Sequence, residues 1–188
     1  MRLLPLDTPE LLELAADWLS REENHQWLDF GGEITPVLLK IMAQRESHFL
    51  RVYTAGRDDT PAGIVGLNYV DRVFRTATLW AVAGDKSFRR RGYVSFATSR
   101  FVSLAFRELG LRCINTWAVS CNPSLRAIRR VGFRYVGRLR HSHVIGGRRY
   151  DRLLFDLLAA EHRELKLDRP HRASPAAGQG MGGEARLG

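Results

Sequence analysis

The sequence has little cysteine and no long apolar segment. Only Cys113 and Cys121 occur in its 188 residues, which excludes a disulfide framework and leaves no cysteine spacing typical of a metal site. No apolar run approaches the roughly 18 residues of a membrane span. The first residues are too poor in apolar side chains for a signal peptide, because Asp7 interrupts them at once. These absences predict a cytoplasmic protein with no metal centre and no membrane partner.

Acidic residues are also scarce relative to basic ones, at 20 against 29, so that the formal net charge is +9. Such an excess is compatible with nucleic-acid binding. The cations are scattered, however, and no basic helix or stacking motif is recognisable, so we do not expect a nucleic-acid partner. Two local clusters would suffice for a small phosphorylated ligand, the alternative being solvated surface arginines: Lys86 with Arg89, Arg90 and Arg91, and Arg126 with Arg129 and Arg130.

The hydrophobic fraction of 45% and the length are ordinary for one globular domain. We assign residues 1–165 to this domain. The remaining stretch, 166–188, is dominated from about Pro170 by Gly, Ala, Pro and Ser. It has too few large apolar residues to offset its ordering entropy, and we predict a disordered tail.

Apolar periodicity predicts an α/β fold (an α+β mixed sheet) with the order β-α-α-β-β-β-α-β-α-β-β. Asp7 or Thr8 caps a first helix, and Thr35-Pro36 opens a second with one apolar stripe, made of Val37, Leu38, Ile41 and Met42. Residues 112–119 lack polar alternation, which is typical of a strand covered on both faces. A final hairpin turns at Gly146-Gly147. The other predicted strands are 2–6, 49–54, 63–70 and 76–83.

The segment from Leu79 to Phe106 is the most informative, because a strand, a basic loop and a helix follow one another there. A helix N-terminus presents unpaired N–H groups and a positive dipole end. Arg89, Arg90, Arg91 and Gly92 directly before the helix predict an anion cradle. An ordinary connection with exposed arginines is the alternative. A second strand-to-helix exit carries Asn122-Pro123-Ser124, which is either a plain helix cap or a second contact for the same ligand.

From Leu79 onward the chain resembles the GNAT superfamily of N-acetyltransferases, in particular its branch of ribosomal-protein N-terminal, polyamine and amino-sugar acetyltransferases. The resemblance covers about residues 50 to 161. It rests on several motifs in order: Gly84-Asp85-Lys86, Arg89 to Val94 at the start of the central helix, Asn122 and Ser124 with Gly132-Phe133, and the closing strand around Tyr150-Asp151.

The resemblance implies that acetyl-coenzyme A is the co-substrate. It implies cofactor contacts from the backbone of Ala81, Val82 and Ala83, from the N–H groups of Arg89, Arg90, Arg91, Gly92, Tyr93 and Val94, and from Asn122. Ser124 would protonate the departing thiolate. The chain departs from the family pattern at Arg90, at Val94, at Ile128, where many members have a tyrosine acid, and in the short spacing from Asn122 to Ser124.

The acceptor side is expected from residues 22–30 and the final hairpin. Our candidates for substrate contacts are Asn24, Trp27, Asp29 and His143. The candidates for a general base are His25, Asp29, His141 and His143, with none preferred. Glu22, Glu23 and Asp29 favour a cationic substrate. We place Trp80 and Trp117 in the core.

The sequence therefore predicts an N-acetyltransferase acting by direct attack of a primary amine, in a monomer or homodimer. The acceptor stays open among a protein N-terminus, a polyamine, an aminoglycoside and an amino sugar. One alternative is a catalytically inert sensor of coenzyme A with the same fold, since the tyrosine and the base are missing. A basic nucleic-acid-binding module is the weaker alternative.

Overall fold

The computed structural model describes residues 1–56, 58–88 and 91–166, which build a seven-stranded mixed sheet with helices on both faces. The strands are β1 (Leu3–Pro5), β2 (Phe49–Ala55), β3 (Thr60–Asp71), β4 (Thr76–Ala83), β5 (Cys113–Val119), β6 (Arg134–Ile145) and β7 (Arg148–Leu158). The helices are α1 (Pro9–Ser20), α2 (Glu22–His25), α3 (Pro36–Gln44), α4 (Tyr93–Leu109) and α5 (Leu125–Val131). The predicted disordered tail lies outside the described residues, apart from Lys166.

The strand order in the sheet is β1-β2-β3-β4-β5-β7-β6, and the pairings are antiparallel except between β4 and β5. These two strands run parallel because α4 carries the chain back across the sheet between them. Gly146 and Gly147, both with positive φ, form the tight turn of the β6–β7 hairpin. The mixed sheet and the predicted element order are confirmed, with α2 as an additional short helix.

Two hydrophobic clusters cover opposite faces of the sheet. The first lies under α4 and α5 and contains Phe101, which is fully buried and stacks on Phe49 at 5.3 Å between ring centroids. The second lies under α1 and α3, around Trp18 and Leu39. Burial of each large side chain contributes about 2 kcal/mol to stability. Alternate residues along the central strands supply both clusters, which gives β2, β3 and β4 a covered face on either side.

The predicted apolar stripe of α3 is wrong at three of its four residues and correct at Met42. Val37, Leu38 and Ile41 are 68%, 38% and 42% exposed, whereas Leu39 and Met42 are buried. Three consecutive apolar residues fit two helical faces equally well, and contact with α1 selects the face that carries Leu39.

The prediction that β5 is covered on both faces is also wrong. Ile114, Thr116 and Ala118 are buried beneath α4 and α5, but Asn115 on the other face is exposed. The reason is that α1 and α3 cover only the β1–β4 half of the sheet, and the second cluster contains no residue of β5. The far face of β5 is therefore open around Asn115 and Trp117, whereas Val119 at the end of the strand is buried.

No described helix is both long enough and apolar enough to cross a membrane. Within the described ranges, no group of three or more His, Cys, Asp or Glu side chains is arranged to hold a metal ion.

His162 gives the fold a pH dependence. Its Nε2 lies 2.8 Å from Ser103 Oγ, whereas its buried Nδ1 has no hydrogen-bond partner in the described part of the chain. Burial lowers the pKa of His162 below the ordinary histidine value. The unfolded chain therefore takes up a proton that the folded chain resists, so this contribution to stability is present above the unfolded pKa and is lost as the pH falls through the folded pKa.

We expect the free energy of unfolding to fall between about pH 7 and pH 5 and the His162→Gln variant to lose part of this slope. Urea unfolding at several pH values measures it. The pKa of His48 is also lowered by burial. The His48→Gln variant therefore serves as the comparison for the loss of a second histidine of this kind. An identical slope in wild type and His162→Gln would contradict the assignment.

Candidate active site

The sheet splits between β4 and β5. The two strands pair over four residues each, ending at Leu79 and Thr116. Beyond that point Trp80–Ala83 stays paired with β3, and Trp117–Val119 stays paired with β7. The Thr116 hydroxyl donates to the Leu79 carbonyl oxygen at 2.8 Å, so a side chain occupies the acceptor at the last pair of the ladder. The split exposes main-chain groups of both strands to each other across a gap.

The predicted cofactor residues Ala81, Val82 and Ala83 lie on β4 beyond the split. Val82 is buried in the second cluster and Ala81 packs on the first, so their side chains point away from the gap, above and below the sheet. Their main chain is thus the part that a ligand in the gap would meet.

The N-terminus of α4 lies at the same end of the sheet. Gly92 precedes the helix in the left-handed conformation, with φ +78°, and a Cβ there would lie 2.9 Å from Arg130 Nη1. The Arg130 guanidinium stacks 4.7 Å above the ring of Phe96 on the first turn of α4. Arg91 is exposed next to Gly92, whereas the predicted residues Arg89 and Arg90 lie outside the described residues. The helix dipole, Arg91 and Arg130 together make this corner electropositive.

The first residues of α4 contribute main chain rather than side chain to this corner. Tyr93 packs edge-on against Phe88 at 5.7 Å, and the Val94 side chain packs on the first cluster. The valine at this position of the motif therefore points into the core.

The turn after β5 carries the second predicted contact. Asn122 Oδ1 accepts a hydrogen bond of 2.8 Å from the Ser124 N–H, so the asparagine side chain does hold the turn as a cap would. The helix starts later than Asn122-Pro123 suggests, because Ser124 is the N-cap and α5 begins at Leu125. The Ser124 side chain makes no capping bond. Its half-buried hydroxyl is thus not committed to the helix.

A cluster centred on Arg152 occupies the end of the hairpin next to β5. Arg152 Nη1 donates to Asp29 Oδ2 at 2.8 Å, and its Nε and Nη2 lie 3.3 and 3.2 Å from His143 Nδ1. His143 Nε2 is 2.7 Å from the Gln26 carbonyl oxygen. The guanidinium also covers the ring of Trp117 at 4.0 Å. The structure thus brings the predicted acceptor segment 22–30 and the final hairpin together.

Two other predicted acceptor residues differ in their placement. Asn24 is buried, and its amide nitrogen donates to the Trp18 carbonyl oxygen at 2.7 Å, which fastens α2 to the end of α1. Trp27 is half-buried on the same segment as Asp29. Of the other base candidates, His25 is half-buried at the end of α2 and His141 is exposed on β6 with φ +52°.

The acids expected to favour a cationic substrate are largely compensated. Glu23 forms an ion pair of 2.8 Å with Lys86, and Asp29 forms one with Arg152. The Arg152 hydrogen bond lowers the pKa of Asp29 below its ordinary value, so the carboxylate is ionised and its charge is paired. Glu22 is exposed at the start of α2.

The tryptophans predicted to be core residues are only half-buried. Trp80 packs edge-on against Phe30 at 5.3 Å and donates from Nε1 to Asn68 Oδ1 at 2.9 Å. Trp117 lies beneath Arg152. Both face the side of the sheet that carries the acceptor segment, because β5 lacks a helical cover there.

The sequence profile of the acetyltransferase (GNAT) family matches residues 10–133, more than half of the chain. The chain belongs to the GNAT acetyltransferase family. The members of this family transfer an acetyl group from acetyl-coenzyme A, so acetyl-coenzyme A is the co-substrate that goes with this fold.

Among curated proteins, the chain is similar to the "Putative ribosomal N-acetyltransferase YdaF" of Bacillus subtilis (strain 168), with 29% identity over 107 residues. The match covers 55% of this chain and 57% of that protein, so it spans little more than half the length of this relative.

Solved structures share the fold at low identity. A spermidine N-acetyltransferase from Vibrio cholerae in complex with CoA and spermine superposes with a TM-score of 0.73 at 17% identity, covering 85% of this chain and 95% of that one. A ribosomal-protein-S5-alanine acetyltransferase from Vibrio fischeri gives 0.68 at 18% identity, covering 86% and 93%. These two structures agree in fold and differ in the acceptor that they are named for.

Three residues of this GNAT site were not singled out individually by the sequence. Thr116 marks the end of the β4–β5 ladder, Arg130 reaches the start of α4, and Arg152 organises the acceptor side. The sequence shows the basic cluster that contains Arg130, but it does not show that Arg130 contacts the start of α4. Arg152 directly precedes the apolar residues 153–155 of the last predicted strand. This position is the one signal that would have pointed to it, since a buried charge requires a partner.

The Asn122 turn generates a stability prediction. We expect Asn122→Ala to lower the free energy of unfolding by about 1 kcal/mol, because it removes the acceptor for the Ser124 N–H. Asn122→Asp retains an acceptor oxygen and should remain close to wild type. Urea unfolding of the three proteins measures this, and equal stability of the alanine variant would mean that Pro123 alone fixes the turn.

Proposed function

We propose that this protein transfers the acetyl group of acetyl-coenzyme A to a primary amine by direct attack of the amine on the acetyl carbonyl. The observation that carries this proposal is the split between β4 and β5, with an electropositive helix start on one side and the Arg152 cluster on the other. The gap between the two strands would accept the extended, amide-bearing arm of the cofactor. The cofactor would then lie on one face of the sheet and the acceptor on the other.

The residues at the split fit coenzyme A. The main chain of Ala81, Val82 and Ala83 would pair with the pantetheine amides and offer a donor to the thioester oxygen. The N–H groups from Arg89 to Val94, with Gly92 allowing close approach, would hold the pyrophosphate. In support of this, the space that a Cβ of Gly92 would fill borders the Arg130 guanidinium. Asn122 would contact the pantetheine from the turn after β5.

Ser124 is the residue that we propose for proton delivery. Its hydroxyl is half-buried at the end of β5 and makes no capping bond. Position 128 is isoleucine, so the tyrosine acid of many family members has no counterpart there. A hydroxyl at Ser124 Oγ can donate its proton to the leaving sulfur as charge develops there.

The acceptor would approach across Trp27 and Asp29. Asn24 and His143 would support these residues from behind, because their polar atoms already contact the chain itself. Both ring nitrogens of His143 have partners, so we do not assign it as the base. Deprotonation of the amine is left to solvent in this proposal. A cytoplasmic location and a monomeric or homodimeric state remain predictions.

Coenzyme A binding is the first test. At 100 times its dissociation constant, coenzyme A should stabilise the native state by about 2.7 kcal/mol and raise the melting temperature by roughly 5–10 °C. Thermal melts with and without coenzyme A measure this, with inorganic pyrophosphate at equal ionic strength as the control for charge alone. Absence of a shift and of calorimetric binding would overturn the proposal.

The second test separates an enzyme from an inert sensor. Ser124→Ala should keep the affinity for coenzyme A within about twofold and lower kcat by about tenfold or more, because the hydroxyl acts in the transition state. Turnover is measured with the amine found by a screen across amine classes. Ser47→Ala, at the opposite end of the sheet, is the control.

Two results would count against these roles. Unchanged turnover in Ser124→Ala would remove the serine from the mechanism and leave water as the donor. Coenzyme A binding without acetylation of any amine class would favour the sensor.

A further inference from the structure

Arg152 is a cation in an unusually enclosed setting. Its side chain is only 18% exposed, although it lies next to the open split, opposite Val119 on β5. Three of its nitrogens have partners, Asp29 and His143, and its plane covers Trp117. A guanidinium is suited to this arrangement, because it is planar, permanently charged and able to donate in several directions at once.

The imidazole of His143 extends this network to the backbone. Its Nδ1 faces the Arg152 donors and must accept, so Nε2 carries the hydrogen and donates to the Gln26 carbonyl oxygen at 2.7 Å. Arg152 thus holds the acceptor segment at two points, directly at Asp29 and through His143 at Gln26.

The same contacts determine the charge of the acceptor side. Asp29 is 63% exposed, so its carboxylate faces solvent next to the proposed approach path, but its charge is balanced by Arg152 at 2.8 Å. Glu23 is balanced by Lys86. Glu22, the third acid of the segment 22–30, is exposed. An amine with a second cationic centre would therefore find two of the three acids already paired with cations.

We propose that Arg152 is the positioning residue of the acceptor site and selects for acceptors with a single amine, such as a peptide N-terminus, against polyamines. This inference rests on the proposed function for the identity of the site. Arg152 acts through Asp29 and Gln26 rather than on the reacting atoms. Removing its charge would leave Asp29 as an unbalanced carboxylate at which a second ammonium group can bind.

The positioning role is tested on the free protein by hydrogen–deuterium exchange. In Arg152→Gln, the amides of residues 26–30 should exchange at least about fivefold faster, because both anchors of the segment are lost. In Arg152→Lys the charge remains, but one ammonium cannot replace the several directed donors, so exchange should also rise. Arg149→Gln removes an exposed arginine from the same strand and should leave exchange unchanged.

Unchanged exchange of residues 26–30 in both Arg152 variants would overturn the positioning role. If Arg152→Gln fails to fold, Asp29→Asn replaces it, since Asp29 is mostly exposed and the change keeps the shape of the side chain. That variant removes one of the two anchors and should raise exchange in the same segment.

The selection role is tested with spermidine as the probe, by calorimetry in the presence of coenzyme A. Wild type should bind spermidine weakly, and Arg152→Gln should bind it about three- to fivefold more tightly. Adding Asp29→Asn to Arg152→Gln should abolish the gain, and Arg152→Lys should show none. Tight binding of spermidine by wild type, or an unchanged affinity in Arg152→Gln, would overturn the selection.

The proposed function and the role of Arg152 would be contradicted by different results. Loss of the proposed function would appear as absence of coenzyme A binding, with the exchange results intact. Loss of the present inference would appear as unaltered exchange or spermidine affinity in a protein that still binds coenzyme A. For an acceptor with a single amine, Arg152→Gln should raise KM more than it changes kcat, because it disturbs placement rather than chemistry.

Discussion

The interruption of the β4–β5 ladder is the constraint on which the rest of the site depends. Parallel strands normally continue pairing as far as their lengths allow, yet here the ladder ends at Leu79 and Thr116, where a threonine hydroxyl occupies the carbonyl. Unpaired main-chain groups are costly when buried. A ligand that supplies amides to the gap would satisfy them, and binding of the proposed cofactor would then offset the cost of the interruption.

The helices turn this gap into a site with two different sides. On one face α4 and α5 approach the split with their N-terminal ends, and Arg130 from the last turn of α5 reaches the start of α4. On the other face none of the described helices covers β5, and a segment from the start of the chain meets a hairpin from its end through Arg152. The two faces differ because the second hydrophobic cluster covers β2, β3 and β4 but does not extend to β5.

Much of the fold was predictable from the sequence, because it depends on local periodicity and on turn chemistry. The hairpin at Gly146-Gly147 and the Thr35 cap with its proline were found in this way, and Thr8 is the one of the two predicted caps, Asp7 or Thr8, that the structure uses. The buried face of α3 and the one-sided burial of β5 were not predicted correctly, because the neighbouring element decides which residues are buried and the helix or strand itself does not. For the site, the predicted cofactor contacts rest on motifs whose residues are close together in sequence, and they remain predictions. The Arg152 cluster joins residues 123 positions apart, and no local pattern reports such a contact.

The β4–β5 seam also has a consequence for how the chain folds. β2, β3 and β4 form a meander of neighbouring strands, and β6 and β7 form a hairpin, so both units can assemble from local contacts. β5 joins them, and its bond to β4 spans 37 residues of chain. Pairings of this kind form slowly because a long loop must close first. We expect insertion of β5 to be the late step of folding, so that the split at which we propose the cofactor to bind is also the last part of the sheet to form.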